Sequence, residues 1–453
     1  MGLHIAIIGA GPAGYPAALT AARLGAQVTL IEQGQLGGVC LHCGCIPSKS
    51  LLDAAHRFDV LNELARFCPD EVSLPIAPAS WSKIQARQQT VTQKLTAGIA
   101  ALLRQAKVTL LNGTAEFASE HTLTVHAEQG DQTIVFDYAI IATGSKAFVP
   151  PPFDQLKDLV YDNSNIFKLP ALPKTLAIIG GGAIGCEFAT LMSGLGVQVQ
   201  LIEMQSRLLP NMDENLARIL TKNLQKRGVQ LLLGQQVVSA RAEDNQAVLQ
   251  LDNDKTITAE KVLVAIGRTC DLTALHPERA GLSWTRKGLQ HVNAQTLQVK
   301  DHIYAAGDVT GLSLLAHAGS RQGIVAAQNI YGQNTIYHNE LIPNAVYTTP
   351  ELASIGLNKA QAQAKGLTIK AHKSYLLANG RAQTMDQTEG FVEILSDADT
   401  GKILGASLAA PNASELISIL AVALQAGMTV EQLKQVVFPH PTLSEMIGEA
   451  LSK

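Results

Sequence analysis

Two stretches of the chain share one pattern of apolar and polar positions. Each begins with a short apolar run, HIAIIGAG at 4–11 and TLAIIGGG at 175–182, which leads into a helical pattern and then a second apolar run. The second run closes on an acidic residue in both cases, Glu32 or Glu203. This residue lies 18 positions beyond the last glycine of the turn, from Gly14 to Glu32 and from Gly185 to Glu203. The repeat predicts two β-α-β units, each with a glycine turn after its first strand.

The remaining pattern predicts how the chain is divided. A helix is predicted over 81–105, short strands end at YAIIATGS, and the prolines at 150–152 suggest a boundary. After the second unit, KVLVAIGR and HIYAAGDV are expected to return the chain to the first domain. From about 338, strands alternate with helices without a glycine fingerprint. The expected fold class is α/β, with two Rossmann-like dinucleotide-binding domains and a C-terminal α+β domain. The predicted domains are 1–147, 148–270, a central segment 271–337 that completes the first domain, and 338–453.

Composition narrows the class of protein. With 453 residues, 47% hydrophobic and 16% charged, the chain is expected to bury several hydrophobic cores. The net charge of -3 and scattered basic residues argue against nucleic acid as a partner. The apolar runs are too short to span a membrane, and a strand pattern begins almost at the first residue. A cytoplasmic location is therefore expected, and the six cysteines are too few for a disulfide framework.

The glycine turns predict two phosphate-binding sites. In each turn the first glycine permits the tight bend, the second admits a pyrophosphate and the third allows helix and strand to pack closely. The residues concerned are Gly9, Gly11 and Gly14 in the first unit and Gly180, Gly182 and Gly185 in the second. Glu32 and Glu203 are expected to accept hydrogen bonds from ribose hydroxyls. Because Glu203 would repel a 2′-phosphate and Arg207 is the only arginine close after it, NAD is expected rather than NADP.

Three cysteines, Cys40, Cys43 and Cys45, stand within six positions in GGVCLHCGCIPSKS. Beside two dinucleotide sites, two of these thiols could form a disulfide that exchanges electrons with a flavin, while a nicotinamide exchanges hydride with that flavin. Spacing alone leaves open which two form the pair. A zinc site usually takes a second ligand pair from elsewhere in the chain, and none is apparent, so no metal is expected.

The segment GGVCLHCGCIPSKSLL resembles the active-site segment of the flavin-dependent pyridine nucleotide-disulfide oxidoreductases, and CIPSK is most similar to their dihydrolipoyl dehydrogenase branch. The resemblance covers nearly the whole chain. It includes ATGS at 142–145, GGGAIGCE at 180–187, AIGR at 265–268, YAAGDVTG at 304–311, YTTPELASIG at 347–356 and HPTLSE at 440–445.

The resemblance implies roles for particular residues. Cys40 would be the thiol that meets the substrate, and Cys45 the thiolate that contacts the flavin. Lys49 would lie beside the flavin and pair with Glu187. The expected FAD-binding residues are Gly9, Gly11, Gly14, Glu32, Lys49, Ala115, Thr143, Gly144, Asp308 and Ala316. The expected NAD-binding residues are Gly180, Gly182, Gly185, Glu203, Val237, Gly267 and Arg268.

Thiol chemistry also needs a base, because only the thiolate attacks a disulfide. The resemblance assigns this role to His440, with Glu445 holding its ring, and implies that they act on the disulfide of the other subunit of a homodimer. The implied reaction oxidises dihydrolipoamide on a lipoyl-bearing protein of a 2-oxo acid dehydrogenase, acetoin or glycine-cleavage system, with NAD+ as the electron acceptor.

Three positions depart from the usual pattern of the family. Ala183 stands where an aromatic residue often covers the nicotinamide pocket, Cys270 replaces a proline, and Cys43 adds a thiol. One alternative reading is a related NAD(P)H-dependent reductase of another disulfide. The mercuric type is disfavoured because no cysteine follows Cys270, and a transhydrogenase is disfavoured by the paired cysteines. The other alternative is a non-catalytic component of a multienzyme complex, which would have no use for the implied catalytic set.

Overall fold

The computed structural model of the protein describes residues 2–64, 67–68 and 78–452. The helices of these residues, in chain order, are α1 (Gly14–Arg23), α2 (Gly38–Cys43), α3 (Cys45–Leu64), α4 (Trp81–Gln105), α5 (Ala183–Gly194), α6 (Glu214–Lys226), α7 (Ala316–Ile330), α8 (Lys359–Ala364), α9 (Gly380–Thr384), α10 (Ala413–Gln425), α11 (Val430–Lys434) and α12 (Glu445–Leu451). The helix predicted over 81–105 is thereby confirmed as α4. No helix in these described ranges combines the length and the apolar character needed to cross a bilayer.

The strands carry the sheets that position the glycine turns. In chain order they are β1 (His4–Ile8), β2 (Gln27–Glu32), β3 (Thr109–Asn112), β4 (Thr114–Ser119), β5 (Thr122–Ala127), β6 (Gly130–Val135), β7 (Tyr138–Ile141), β8 (Lys146–Ala147), β9 (Val160–Asp162), β10 (Thr175–Ile179), β11 (Gln198–Glu203), β12 (Gln230–Leu233), β13 (Val237–Glu243), β14 (Gln246–Leu251), β15 (Thr256–Ala259), β16 (Lys261–Val264), β17 (Arg268–Thr269), β18 (Trp284–Thr285), β19 (Gly288–Leu289), β20 (Gln298–Lys300), β21 (Ile303–Ala305), β22 (Asn344–Val346), β23 (Glu351–Gly356), β24 (Ile369–Tyr375), β25 (Phe391–Asp397) and β26 (Ile403–Ala410).

The first sheet has the strand order β20-β21-β7-β1-β2-β3. β1 is parallel to both β2 and β7, so the turn after β1 lies where the strand order reverses. In open parallel sheets, ligands bind in the crevice at this edge. Strands β20 and β21 follow the second repeat in sequence and complete this first sheet, and a small antiparallel sheet, β4-β5-β6, lies beside it.

The second sheet repeats the arrangement, with the parallel order β12-β11-β10-β16-β9. Its glycine turn follows β10, the counterpart of β1. The antiparallel sheet β13-β14-β15 lies beside it, and the short ribbon of β8 and β17 connects the two repeats.

The last part of the chain forms the antiparallel sheet β22-β23-β26-β25-β24, and its apolar core is filled from α10 and α12. One larger core joins the three parts of the molecule. It contains Leu51 from α3, Phe188 from α5 and Val346 from β22, all buried. Helix α3, which begins at Cys45, is thereby packed against the second repeat and the last sheet. The domain boundaries given above stay predictions.

Candidate active site

The three clustered cysteines lie where a short helix ends and a long one begins. α2 ends at Cys43 and α3 begins at Cys45, so Gly44 alone connects them. A Cβ atom on Gly44 would lie 2.9 Å from the carbonyl oxygen of Val39 and 3.1 Å from the Cα atom of Cys40. Only glycine therefore fits this turn between the two helices. The turn brings the start of α3 against Cys40.

The thiols of Cys40 and Cys45 act directly on each other's pKa. This mutual interaction is the largest cause that raises the pKa of Cys40 and the largest that lowers the pKa of Cys45, to about 7. Burial acts to raise both values, and the charge of Lys49 acts to lower both. The thiolate therefore forms first on Cys45, while Cys40 keeps its proton. The two thiols lie near each other, as a redox pair requires.

Cys43 has different neighbours. Burial is the main cause that raises the pKa of its thiol, and the charges that act on it come from Arg268, Asp162 and Lys168. These residues belong to the segments around β9 and β17 of the second repeat, whereas Cys40 and Cys45 are influenced by Lys49. At neutral pH Cys43 is a protonated thiol at the boundary between the repeats.

Lys49 and Glu187 form the ion pair that the resemblance implies. The ammonium nitrogen of Lys49 lies 3.0 Å from Oε1 and 2.9 Å from Oε2 of Glu187. The Glu187 side chain is only 7% exposed and that of Lys49 is 31% exposed. Lys49 follows Cys45 by one helical turn on α3, so the two share a face of the helix. The pair thus holds a positive charge beside the cysteines.

The first glycine turn has the shape required for a dinucleotide. Gly9 has a φ of +102°, and a Cβ there would lie 2.4 Å from the carbonyl oxygen of Ala142. A Cβ on Gly14 would lie 1.7 Å from the carbonyl oxygen of Gly9. Among the described residues, a Cβ on Gly11 would have only the Cα atom of Gly38 within 4 Å, at 3.9 Å, which leaves the N-terminus of α1 open to a phosphate.

Glu32 closes this first site. Its Oε2 accepts a hydrogen bond of 2.6 Å from the backbone of Ala10 and its Oε1 one of 2.7 Å from Gly34. A carboxylate has about four lone-pair positions, so capacity remains for ribose hydroxyls. The residues therefore fit a dinucleotide.

The second turn reproduces the same geometry. A Cβ on Gly180, whose φ is +108°, would lie 2.5 Å from the carbonyl oxygen of Ala265, and one on Gly185 would lie 1.9 Å from that of Gly180. Within the part of the chain that the structure describes, no atom lies within 4 Å of the Cβ position of Gly182, so the start of α5 is open. Glu203 is buried, and it accepts hydrogen bonds of 2.6 and 2.7 Å from the backbone of Gly181 and Gln205. These residues fit a second dinucleotide for the same reasons.

The two turns and the cysteines open into one cavity of about 1570 Å³, above the roughly 300–1,000 Å³ of a typical small-molecule site. The site residues that line it are Gly9, Gly11, Glu32, Cys40, Cys45, Lys49, Ala115, Thr143, Gly144, Gly180, Gly182, Glu187, Glu203, Val237, Gly267, Arg268, Asp308 and Ala316. Gly14 and Gly185 are not in this lining, because they pack against the first glycine of their own turns.

A polar network joins the two halves of the cavity. Arg268 donates hydrogen bonds from Nε to Oγ of Ser145, at 2.7 Å, and from Nη1 to Oδ1 of Asn163, at 3.3 Å. Ser145 in turn donates to Asp308, and Arg268 Nε lies 3.5 Å from the same carboxylate oxygen. Neither Ser145 nor Asn163 has a role that the sequence motifs predict. The ATGS motif contained Ser145, while no motif marked Asn163.

His440 and Glu445 lie apart from this cavity. Nδ1 of His440 is 2.9 Å from Oε1 of Glu445, whose Oε2 accepts a hydrogen bond of 2.8 Å from the backbone of Thr442. The Thr442 N–H is the main cause that lowers the pKa of Glu445, and His440 adds to it. The His440 side chain is 79% exposed, and neither residue lines the cavity. The single chain therefore pairs the histidine and the carboxylate without bringing them to Cys40.

Similarity to known proteins agrees with this geometry. Residues 3–323 match the pyridine nucleotide-disulphide oxidoreductase family, and residues 342–451 match the dimerisation domain of that family. A dihydrolipoyl dehydrogenase of Bacillus subtilis is 38% identical over 99% of this chain and 98% of its own length. Dihydrolipoyl dehydrogenase 3 of Haloarcula marismortui is 37% identical over 98% of this chain and 95% of its own.

Solved structures give the same picture. LpdA from Mycobacterium tuberculosis superimposes with a TM-score of 0.92 at 29% identity, covering 99% of both chains. The HOCl-induced flavoprotein disulfide reductase RclA from Escherichia coli superimposes with a TM-score of 0.87 at 29% identity, again over 99% of both chains. The predicted fold class is confirmed, as are the predicted cofactors, FAD and NAD. The matched dimerisation domain also supports a homodimer. From these full-length matches, this chain belongs to the pyridine nucleotide-disulphide oxidoreductase family.

Proposed function

We propose that this protein is a dihydrolipoyl dehydrogenase, which oxidises a protein-bound dihydrolipoyl group to its disulfide and transfers the electrons to NAD+. The observation that carries this proposal is the neighbouring pair of Cys40 and Cys45 in one cavity with two dinucleotide turns. The dihydrolipoyl dehydrogenases that match nearly the whole chain support the choice of substrate.

The cofactor sites are assigned on the same basis. FAD would be held by Gly9, Gly11, Gly14, Glu32, Lys49, Ala115, Thr143, Gly144, Asp308 and Ala316, and NAD by Gly180, Gly182, Gly185, Glu203, Val237, Gly267 and Arg268. When bound, FAD supplies two-electron chemistry that connects a dithiol to a nicotinamide. Lys49, fixed by Glu187, contributes positive charge where electrons arrive.

The cysteines carry the exchange with the substrate. A substrate thiolate attacks the sulfur of Cys40 in the oxidised pair, forms a mixed disulfide and releases Cys45 as thiolate. The second substrate thiol then displaces Cys40 and leaves as the cyclic disulfide. The lowered pKa of Cys45, to about 7, makes it the better leaving group, and the raised pKa of Cys40 favours its return as a thiol.

His440 is the proposed base for the substrate thiols. With Nδ1 bonded to Glu445, Nε2 is the nitrogen left to take a proton. The exposure of His440 and its separation from the cavity support an action on the cysteines of the partner in a homodimer. Exposed apolar side chains on the same domain, among them Leu377, Val422 and Val437, are suited to such an interface.

The proposed protein partner is a lipoyl-bearing component of a 2-oxo acid dehydrogenase, acetoin or glycine-cleavage system, and the proposed location is the cytoplasm. The test is a four-way assay of the purified yellow protein with NADH or NADPH and with lipoamide or glutathione disulfide. Of the four combinations, only NADH with lipoamide is expected to give turnover. Preference for glutathione disulfide would instead favour a reductase of another disulfide, and inactivity with both would favour a non-catalytic role.

A further inference from the structure

Tyr347 contacts both members of the ion pair beside the cysteines. It follows β22 in the last domain, and its backbone N–H donates a hydrogen bond of 3.0 Å to Oε1 of Glu187. The ammonium nitrogen of Lys49 lies 4.4 Å from the centre of the Tyr347 ring. The preceding residue, Val346, is buried in the core that also holds α3 and α5. One residue of the last domain thus contacts the Glu187 carboxylate of the second repeat and Lys49 on α3.

We propose that Tyr347 is a positioning residue of the redox centre, whose N–H fixes Glu187 and whose ring holds the Lys49 ammonium group beside Cys45. The inference rests on the proposed function only through the role given to Lys49. Tyr347 is not a catalytic residue, because it is absent from the residues that line the cavity, whereas Lys49 and Glu187 are present.

The ring acts on Lys49 because the face of an aromatic ring attracts a cation within about 6 Å of its centre. A lysine ammonium group on a flexible stem otherwise tends toward water, and the Lys49 side chain is 31% exposed. Glu187 holds the nitrogen from one side with both oxygens. The Tyr347 ring provides the second contact, so the nitrogen has less freedom to move away from Cys45.

The position of this charge matters for the thiolate. Two charged groups act on Cys45, Lys49 on its own helix and Glu187 on α5, and the Cys40 side chain on α2 acts on it as well. Lys49 lowers the pKa of Cys45 and Glu187 raises it. If the Lys49 ammonium group moves away from Cys45 toward solvent, its positive charge offsets less of the negative charge of Glu187. The pKa of Cys45 then rises, and the thiolate becomes harder to form. The last domain would in this way influence the chemistry of the redox pair.

The test measures the Cys45 thiolate without any turnover. In a Cys40→Ser background, the ultraviolet thiolate absorbance is titrated against pH, and the absorbance of the Cys40→Ser/Cys45→Ser protein is subtracted. Adding Tyr347→Leu is expected to raise the apparent pKa of Cys45 by on the order of half a unit to one unit. Tyr347→Phe, which keeps the ring and the backbone N–H, is expected to restore the original value.

Tyr375→Leu is the matched control, because Tyr375 also lies near a lysine, Lys373 at 5.2 Å, in the same domain but away from Lys49. It should leave the titration unchanged. Tyr347→Met, which can refill the space, replaces the leucine variant if that protein does not fold. An unchanged or lowered pKa in the leucine or methionine variant overturns the proposal, as does an equal shift in Tyr347→Phe. Since lipoamide takes no part, a failure of the proposed function would appear separately, in the four-way assay.

Discussion

Arg207 donates a hydrogen bond of 2.6 Å from Nη2 to the carbonyl oxygen of Pro210. Its Nη1 donates to the carbonyl oxygens of Met212, at 3.0 Å, and Leu209, at 3.4 Å. The guanidinium group therefore stabilises the loop after β11. The one arginine that follows Glu203 closely thus hydrogen-bonds the backbone of its own loop through both terminal nitrogens.

This arrangement predicts a strong preference for NADH over NADPH. Because the buried Glu203 carboxylate would meet a 2′-phosphate without a compensating cation, we expect kcat/KM for NADPH to be roughly a hundredfold lower. Arg207→Ala should leave this ratio unchanged and reduce the free energy of unfolding by about 1–3 kcal/mol. Arg218→Ala, at an exposed arginine on α6, is the control for stability. A selective loss of NADPH turnover in Arg207→Ala would show that Arg207 does bind phosphate.

The sequence predicts what depends on local spacing. The two glycine turns, with Glu32 and Glu203 at the same distance, have closely similar geometry in the structure because each role is met within one β-α-β unit. The helix 81–105 is likewise local. The contact of Tyr347 with Lys49 was not predictable, because it depends on how α3, α5 and the last domain pack together. Asn163 and Arg268 follow β9 and β16, which are distant in sequence and pair in the second sheet, so their contact was not predictable from local spacing either.

The cysteines should differ sharply in mutational effect. Cys43→Ser is expected to retain lipoamide-dependent reduction of NAD+, because burial keeps the Cys43 thiol protonated and its charged neighbours differ from those of the pair. Cys40→Ser and Cys45→Ser are each expected to abolish it, since neither variant can form the disulfide. Steady-state assays on protein with bound FAD measure this. Loss of activity in Cys43→Ser with FAD retained would mean that the third thiol takes part.

Gly44 should be required for the approach of Cys40 and Cys45. Gly44→Ala places a Cβ 2.9 Å from the carbonyl oxygen of Val39, a backbone atom that cannot move cheaply. We expect a loss of about 1–3 kcal/mol in unfolding free energy together with reduced turnover, as the two thiols separate. Gly98→Ala is the matched control, because no described atom outside the backbone of α4 lies within 4 Å of its Cβ position. That change should stabilise the protein by about 0.5–1 kcal/mol. Full activity in Gly44→Ala would contradict this account of the turn.

His440 and Glu445 should matter for the thiol chemistry and not for the flavin. The lowered pKa of Glu445 keeps its carboxylate charged at neutral pH. Glu445→Gln therefore removes a full negative charge from beside the His440 ring. We expect His440→Gln to reduce kcat/KM for dihydrolipoamide by about 10²–10⁴-fold, and Glu445→Gln to reduce it less. Oxidation of NADH by ferricyanide, which needs no cysteine disulfide, serves as the control and should persist in both variants.

A mixed dimer tests whether His440 acts on the partner's cysteines. A dimer of one His440→Gln subunit and one Cys45→Ser subunit contains one intact site if the histidine acts across the interface, and none if it acts within its own chain. The two inactive variants are mixed and reassembled. Each mixed dimer should then show up to half of the activity of a native dimer, because one of its two sites is complete. Reassembled mixed dimers without dihydrolipoamide oxidation would mean that His440 serves its own subunit. His440 lies apart from the cavity in this structure, so the chain would then have to change conformation to bring it to Cys40.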